Sequence, residues 1–216
     1  MCLRRIASST RQIRYVSPQD TLTPVNAYAS VRLRSGDAAR YARLRLRMLL
    51  DAPWAFGASP EGDKGLDVAH LERSLAGEGY AIFAIDVPAP TGSWAVAAGE
   101  TREEPELIAA AGIMRARSPK FAHRASIWGV FVEPAYRRKG LGRAVVTAAI
   151  DLARSWSGVD YVDLGASERA PEARCLYESL GFRAWGREPE ATEHEGRRYD
   201  ETHMTLRLRP GDGRGA

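Results

Sequence analysis

A short run of cations and glycines, between an apolar stretch and a helix-forming stretch, carries the clearest chemistry in this sequence. The apolar stretch ends at Pro134, and the helix-forming stretch follows as Ala144–Ile150. A helix that starts after a tight turn presents unpaired N–H groups and the positive end of its dipole, and both attract phosphate. Glycines in the turn let a bulky anion approach the amides closely. We therefore predict a pyrophosphate-binding loop made of Arg137, Arg138, Lys139, Gly140, Leu141, Gly142 and Arg143.

Two well-known phosphate-binding motifs do not fit this spacing. The sequence contains no G-x-x-x-x-G-K-[ST], and the dinucleotide fingerprint needs a third glycine where Val145 stands. The remaining pattern, [R/Q]-x-x-G-x-[G/A] from Arg137 to Gly142, resembles the coenzyme A signature of the GCN5-related N-acetyltransferase (GNAT) superfamily.

A second motif lies downstream at Ala173–Phe182, where the sequence reads A-x-x-L-Y-x-x-x-G-F. It resembles the superfamily segment that forms the helix beside the acetyl thioester. Two partly independent motifs in the right order, separated by one predicted strand, support the resemblance. One departure is Ala170, which stands where the superfamily usually has an asparagine that contacts the pantetheine region.

The resemblance implies a mixed α/β fold with a largely antiparallel sheet of six to seven strands and about four helices. Strands four and five would run parallel and splay apart at their C-terminal ends. Hydrophobic periodicity predicts strands at Val31–Arg34, Tyr80–Asp86, Leu107–Arg115, Ala125–Val132, Val159–Leu164, Phe182–Glu188 and Tyr199–Arg207. It predicts helices near Asp37–Leu50, Leu66–Leu75, Lys139–Ser155 and Ala170–Leu180. We also expect a short strand at Trp94–Ala98, a bulge or close approach at Gly112, and a charged hairpin loop at Pro189–Arg197.

The resemblance also implies how the coenzyme is held and how its thiol leaves. The backbone of Val130, Phe131 and Val132 would pair with the pantetheine arm as an added strand does. The phenol of Tyr177 would give its proton to the departing sulfur. Simple packing of that tyrosine on the sheet is the alternative.

The acceptor side is less defined. Asp163 lies near the end of the fifth strand, where some ribosomal-protein N-terminal acetyltransferases of the superfamily carry a glutamate thought to take the amine proton. A water chain is an alternative to any single base, and weaker side-chain candidates are Ser126, His123 and Glu133. Trp54 and Phe56 follow the first helix, where the superfamily commonly builds its acceptor pocket, although packing onto the core explains them equally well.

Composition limits the function classes. The 216 residues are 44% hydrophobic and 27% charged, which is typical of a soluble globular protein, and no apolar run reaches the length of a membrane span. The net charge of +4 comes from scattered arginines without interleaved aromatics, so we predict no nucleic-acid binding and no membrane partner. Cys2 and Cys175 form no pair motif, and the four histidines lack metal-ligand spacing. We expect free thiols, a cytoplasmic location and no metal.

These observations predict an N-terminal extension at 1–28, an acetyltransferase domain at 29–209 and a flexible tail at 210–216. The expected activity is direct transfer of acetyl from acetyl-CoA to a primary amine of a small molecule or a protein N-terminus. The alternative class is a catalytically silent acyl-CoA-binding regulatory module, and the sequence leaves a homodimer open.

Deleting the first two dozen residues should leave folding and activity intact, because that stretch has no apolar periodicity to contribute to a core. Thermal melting and activity of the shortened protein would check this. A shortened protein that fails to fold would contradict the predicted boundary.

Overall fold

The computed structural model describes residues 28–87 and 105–208. Most of the predicted extension, the predicted strand at Trp94–Ala98 and the predicted tail at 210–216 lie outside the described residues.

In the described part of the chain, seven strands form one mixed sheet, and four α-helices pack on it. The strands are β1 (Val31–Arg32), β2 (Tyr80–Asp86), β3 (Leu107–Arg115), β4 (Arg124–Val132), β5 (Tyr161–Ser167), β6 (Arg183–His194) and β7 (Arg197–Arg207). The helices are α1 (Ala38–Asp51), α2 (Val68–Ala76), α3 (Leu141–Ser155) and α4 (Pro171–Ser179). The sheet order is β1-β2-β3-β4-β5-β7-β6, with β4 and β5 parallel and all other neighbours antiparallel. The predicted mixed fold is confirmed.

Strand alternation divides the core between the two faces of the sheet. On β3, Ala109, Ala111 and Ile113 lie in one cluster with α3, whereas Ala110 faces the other cluster with α1 and α2. The alanines of this central strand are small, so helices can approach it closely from both sides. Helix α3 contributes its buried stripe of Leu141, Val145, Val146, Ala149, Ile150 and Ala153.

The last hairpin is longer than its sequence indicates. The predicted loop at Pro189–Arg197 is wrong, because β6 continues to His194 and the chain turns at Glu195-Gly196, both with positive φ. Cross-strand ion pairs hold the charged segment in the sheet, since Arg198 lies 2.8 Å from Glu190 and 3.0 Å from Glu193. A register shift between Glu188 and Thr192 accommodates the proline.

Strands β4 and β5 pair over only three residues each. Arg124, Ala125 and Ser126 oppose Tyr161, Val162 and Asp163, and no pairing follows. Beyond that point β4 continues along β3 to Val132, and β5 continues along β7 to Ser167. The predicted splay is therefore present, and it leaves a slot between the two strands.

A bulge on β4 lies beside this slot. Gly129 and Val130 separate the paired residues Trp128 and Phe131, whereas a single residue of β3 lies opposite them. Gly129 adopts a left-handed φ of +60°, which suits the extra residue of a bulge.

The indole of Trp128 covers Gly112 on β3, and a Cβ added to Gly112 would fall 2.3 Å from Trp128 Cε2. The expected close approach at Gly112 is confirmed, although the extra residue belongs to β4.

Gly112→Val should lower the free energy of unfolding by about 1–3 kcal/mol, because a valine side chain overpacks the space that the Trp128 ring occupies. Trp128 has little room to yield, since its ring packs between Tyr41 and Tyr80. Urea unfolding would measure the loss. Gly36→Ala is the matched control, because no atom lies within 4 Å of its added Cβ. Equal unfolding midpoints for the two variants would contradict the packing argument.

Candidate active site

The start of α3 is an uncapped helix N-terminus. Gly140 is its N-cap residue, with a left-handed φ of +82° and no side-chain cap. The Ala144 N–H donates to the Gly140 carbonyl at 3.1 Å, so the amides before Ala144 in the first turn have no intrahelical acceptor. Arg138 also has a positive φ, of 64°, which is uncommon for a residue with a side chain. This turn presents several N–H groups to one anion.

The cations of the loop divide into two pairs. Arg137 and Arg143 are bound to the protein: Arg137 Nε donates to the Val132 carbonyl at 3.0 Å and its Nη2 to Asp51, and Arg143 Nη2 donates to Ser179 Oγ at 2.6 Å. Arg138 and Lys139 are exposed, and Lys139 lies 5.1 Å from the centre of the Tyr136 ring. The first pair anchors the loop, and the second supplies positive charge at its surface.

Three elements meet at Gly142. A Cβ added there would lie 3.4 Å from Leu176 Cδ2 on α4 and 3.6 Å from Val132 Cγ2 on β4. The Glu133 N–H donates to the Ile108 carbonyl on β3, so strand alternation directs the Val132 N–H to the opposite side, toward the slot. The loop, the end of β4 and the residue before Tyr177 are therefore neighbours.

Tyr177 is buried, with 4% of its surface exposed, in the cluster that includes Leu164 and Ala166 of β5. Its ring meets Phe182 edge-on at 6.0 Å. Burial raises the pKa of the phenol well above its ordinary value of about 10. The hydroxyl keeps its proton at neutral pH, and its role as a proton donor stays a prediction.

Asp163 forms a two-bond ion pair with Arg124. Arg124 Nε and Nη2 donate to the two carboxylate oxygens at 2.7 and 2.5 Å, and this bond raises the pKa of the Arg124 guanidinium. Protonation of one carboxylate oxygen would remove one of these two bonds. The role of Asp163 as a base stays a prediction.

The two predicted acceptor-pocket aromatics lie in different surroundings. Trp54 lies in a short 3₁₀ turn that contacts β5 and β6, and the Arg169 guanidinium stacks 5.0 Å from its ring centre. Phe56 lies 5.0 Å from the Arg45 guanidinium, which pairs with Asp63 at 2.7 Å in the interior. Trp54 thus lies on the β5 and β6 side, whereas Phe56 packs on α1. A substrate role for either residue stays a prediction.

A pocket of about 220 Å³ lies where β4 and β5 begin to separate. Its lining residues come from four strands: Ser126, Ile127, Asp163, Leu164, Gly165, Trp185, His203 and Met204. Sequence reasoning did not select Trp185 and His203. The signal that could have found them is the strand order, because β7 lies between β5 and β6 and brings both residues to the vertex of the slot.

The described residues contain neither a metal-binding cluster nor a membrane-spanning helix. Within 28–87 and 105–208, no group of three or more His, Cys, Asp and Glu side chains is arranged to hold a metal ion. No helix in the same part of the chain is long and apolar enough to cross a membrane. Cys175 is an exposed free thiol.

Comparison with known proteins gives the family. The sequence profile of the acetyltransferase (GNAT) family matches residues 63–182, which include the loop, β4, α3 and α4. The chain belongs to this family. This GNAT chain is also 37% identical over 81 residues to the N-alpha-acetyltransferase RimI of Mycobacterium tuberculosis. That match covers 37% of this chain and 48% of the relative, so the chain spans about half the length of the curated relative it matches.

Solved structures share the GNAT fold. Salmonella typhimurium yncA, solved with its cofactor acetyl-CoA, superposes with a TM-score of 0.69 at 22% identity, over 88% of this chain and 99% of that one. The ribosomal-protein-S18-alanine N-acetyltransferase of Escherichia coli superposes with a TM-score of 0.58 at 20% identity, over 88% and 99% of the two chains. At these identities the comparison supports the fold alone.

Proposed function

We propose that this protein is an acetyl-CoA-dependent N-acetyltransferase that transfers the acetyl group to a primary amine by direct attack. One observation carries the proposal: the uncapped start of α3 lies beside a slot between two parallel strands. A pyrophosphate needs free N–H groups, and an extended amide-containing chain needs an unpaired strand edge. The protein offers both at adjoining positions, joined at Gly142.

The residues of this region fit coenzyme A. The first-turn amides of α3 hold the pyrophosphate, with Arg138 and Lys139 as the exposed cations beside it. The backbone of Val130, Phe131 and Val132 runs along the slot and pairs with the pantetheine arm. The acetyl-CoA in the yncA structure, which has the same fold, supports this assignment.

The same geometry suggests how the transfer proceeds. The N–H of Val132 points into the slot and polarises the thioester carbonyl as a preorganised donor. Tyr177 protonates the departing sulfur from the α4 side. The acceptor amine approaches from the pocket at the vertex, where Trp185 and His203 lie. Peptide α-amines are the first acceptors to test, because the 37% identical relative is an N-alpha-acetyltransferase.

The direct test is thiol release from acetyl-CoA in the presence of peptides with free amino termini, amino acids and small amines. Calorimetric titration with acetyl-CoA measures coenzyme binding separately. Heat of binding with turnover of one acceptor class supports the proposal. A titration without heat, together with no thermal stabilisation, would refute it.

Gly142→Leu should weaken acetyl-CoA binding by at least about 100-fold, or roughly 3 kcal/mol. Beyond its Cβ, a leucine side chain must displace Leu176 and Val132 or project over the first-turn amides. Gly142→Ala is the matched control, since its Cβ makes ordinary contacts at 3.4 and 3.6 Å. Calorimetry on both variants measures the difference. Wild-type affinity in the leucine variant would mean that the coenzyme binds elsewhere.

Tyr177→Phe should lower kcat by about 100-fold, the usual contribution of a positioned proton donor, with unchanged acetyl-CoA affinity. Because burial raises the pKa of the phenol, the wild-type enzyme should keep this donor protonated as pH rises through the mildly alkaline range. Thiol release measured against pH checks both statements. Unchanged turnover in the phenylalanine variant would remove Tyr177 from the mechanism.

A further inference from the structure

An imidazole between two carboxylates lies beside the pocket at the vertex of the slot. His203 Nε2 lies 2.8 Å from Glu188 Oε2, and its Nδ1 lies 3.7 Å from Glu201 Oε1. Across the β5–β7 ladder His203 opposes Gly165, which also lines the pocket. Val162, Leu164 and Ala166 are buried with α3 and α4, so alternation places Gly165 and His203 on the opposite face of the sheet.

Gly165 makes room for this arrangement. A Cβ added to Gly165 would fall 1.9 Å from Glu201 Oε1, so the Glu201 carboxylate occupies the space of a side chain at this position. The fifth strand therefore carries no functional group of its own here. Strand β7 supplies the groups instead, with Glu201 above the glycine and His203 at the pocket wall.

The His203 ring is fixed on its flat side as well. Trp185 stacks on it with a centroid distance of 5.4 Å and an angle of 24° between the planes. Trp185 is 66% exposed, so the indole stands as an open wall of the pocket. The imidazole is thus hydrogen-bonded to Glu188, stacked on Trp185 and close to Glu201, at the wall of the pocket that an acceptor would enter.

The charges around His203 distinguish it from Asp163. In the described part of the chain, Glu188 and Glu201 contact no cationic side chain other than His203, whereas Asp163 is neutralised by Arg124. The charged groups that face the imidazole are therefore Glu188 from β6, Glu201 from β7, and the Asp163–Arg124 pair from β5 and β4. Proton uptake at His203 breaks no ion pair.

We propose that His203 accepts the proton of the attacking amine and that Glu188 and Glu201 position its ring; this rests on the proposed function. The amine nitrogen forms the C–N bond to the acetyl carbonyl carbon, and its proton passes to the unprotonated ring nitrogen of His203. The C–S bond breaks, and the sulfur takes the phenolic proton of Tyr177. The proton on His203 and the phenolate then exchange with solvent, so the charges balance over one turnover.

His203→Gln should lower kcat/KM for the acceptor by about 100-fold, with acetyl-CoA affinity unchanged by calorimetry. Histidine changes charge near neutral pH, so the variant should also lose the acidic limb of the pH–rate profile. Glu188→Gln and Glu201→Gln should each lower the rate less and keep that limb. His194→Gln is the matched control, because His194 lies on the same hairpin, 3.9 Å from Glu195 and at its far end. It should behave as wild type.

The outcomes separate the two proposals. A wild-type enzyme without acetyl-CoA binding or turnover would refute the proposed function. An active wild type with an equally active His203→Gln variant and the same pH profile would overturn only the role of His203. A variant with a lower melting temperature and weaker acetyl-CoA binding but an unchanged pH profile would also overturn it. If His203→Gln does not fold, the double variant Glu188→Gln/Glu201→Gln replaces it. Its kcat/KM for the acceptor should fall at least about tenfold. An unchanged kcat/KM would contradict the inference.

Discussion

The separation of β4 from β5 after three paired residues is the constraint on which the rest of the structure depends. Backbone groups at a strand edge need a partner, and leaving them buried and unpaired costs free energy. Both strands meet that need on their outer sides, where β4 pairs with β3 and β5 pairs with β7. Their inner edges are unpaired beyond Ser126 and Asp163. We propose that the extended pantetheine arm of the coenzyme pairs there. The loop before α3, helix α4 and the pocket all lie around that opening.

The bulge at Gly129 connects the opening with the helices on the other face. A Cβ added there would lie 3.6 Å from the Tyr41 hydroxyl and 3.8 Å from Arg45 Nη1, both on α1. Within the described residues, the Tyr41 hydroxyl and Trp128 Nε1 are buried and have no hydrogen-bond partner in the protein. Burial raises the pKa of Tyr80 to about 12, so this phenol also stays neutral beside the indole. The region behind the bulge is thus polar.

Local patterns could be predicted from the sequence, and long-range pairings could not. The glycine turn at the start of α3 was predictable because its glycines and its helix are contiguous in sequence. The close approach at Gly112 was predictable because a glycine inside an apolar strand allows a neighbouring side chain to come near. Asp163 was selected by its place on a strand, yet its partner Arg124 lies 39 residues away. The face and depth of His203 depend on the insertion of β7 beside β5, which no periodicity in either strand encodes. The full length of β6 was not predicted, because its charged second half is typical of a loop when only the sequence is considered. In the fold, Glu190 and Glu193 of this half form ion pairs with Arg198 on β7.

The β6–β7 hairpin begins at Arg183, immediately after the segment that matches the family profile ends at residue 182. Trp54, whose 3₁₀ turn contacts β5 and β6, lies before that segment starts at residue 63. In the proposed site, Trp185 and His203 of the pocket therefore lie outside the matched segment, whereas the loop before α3 and the slot lie inside it. Under the proposed function, the β6–β7 hairpin can vary with the acceptor amine while the loop that binds the coenzyme stays the same.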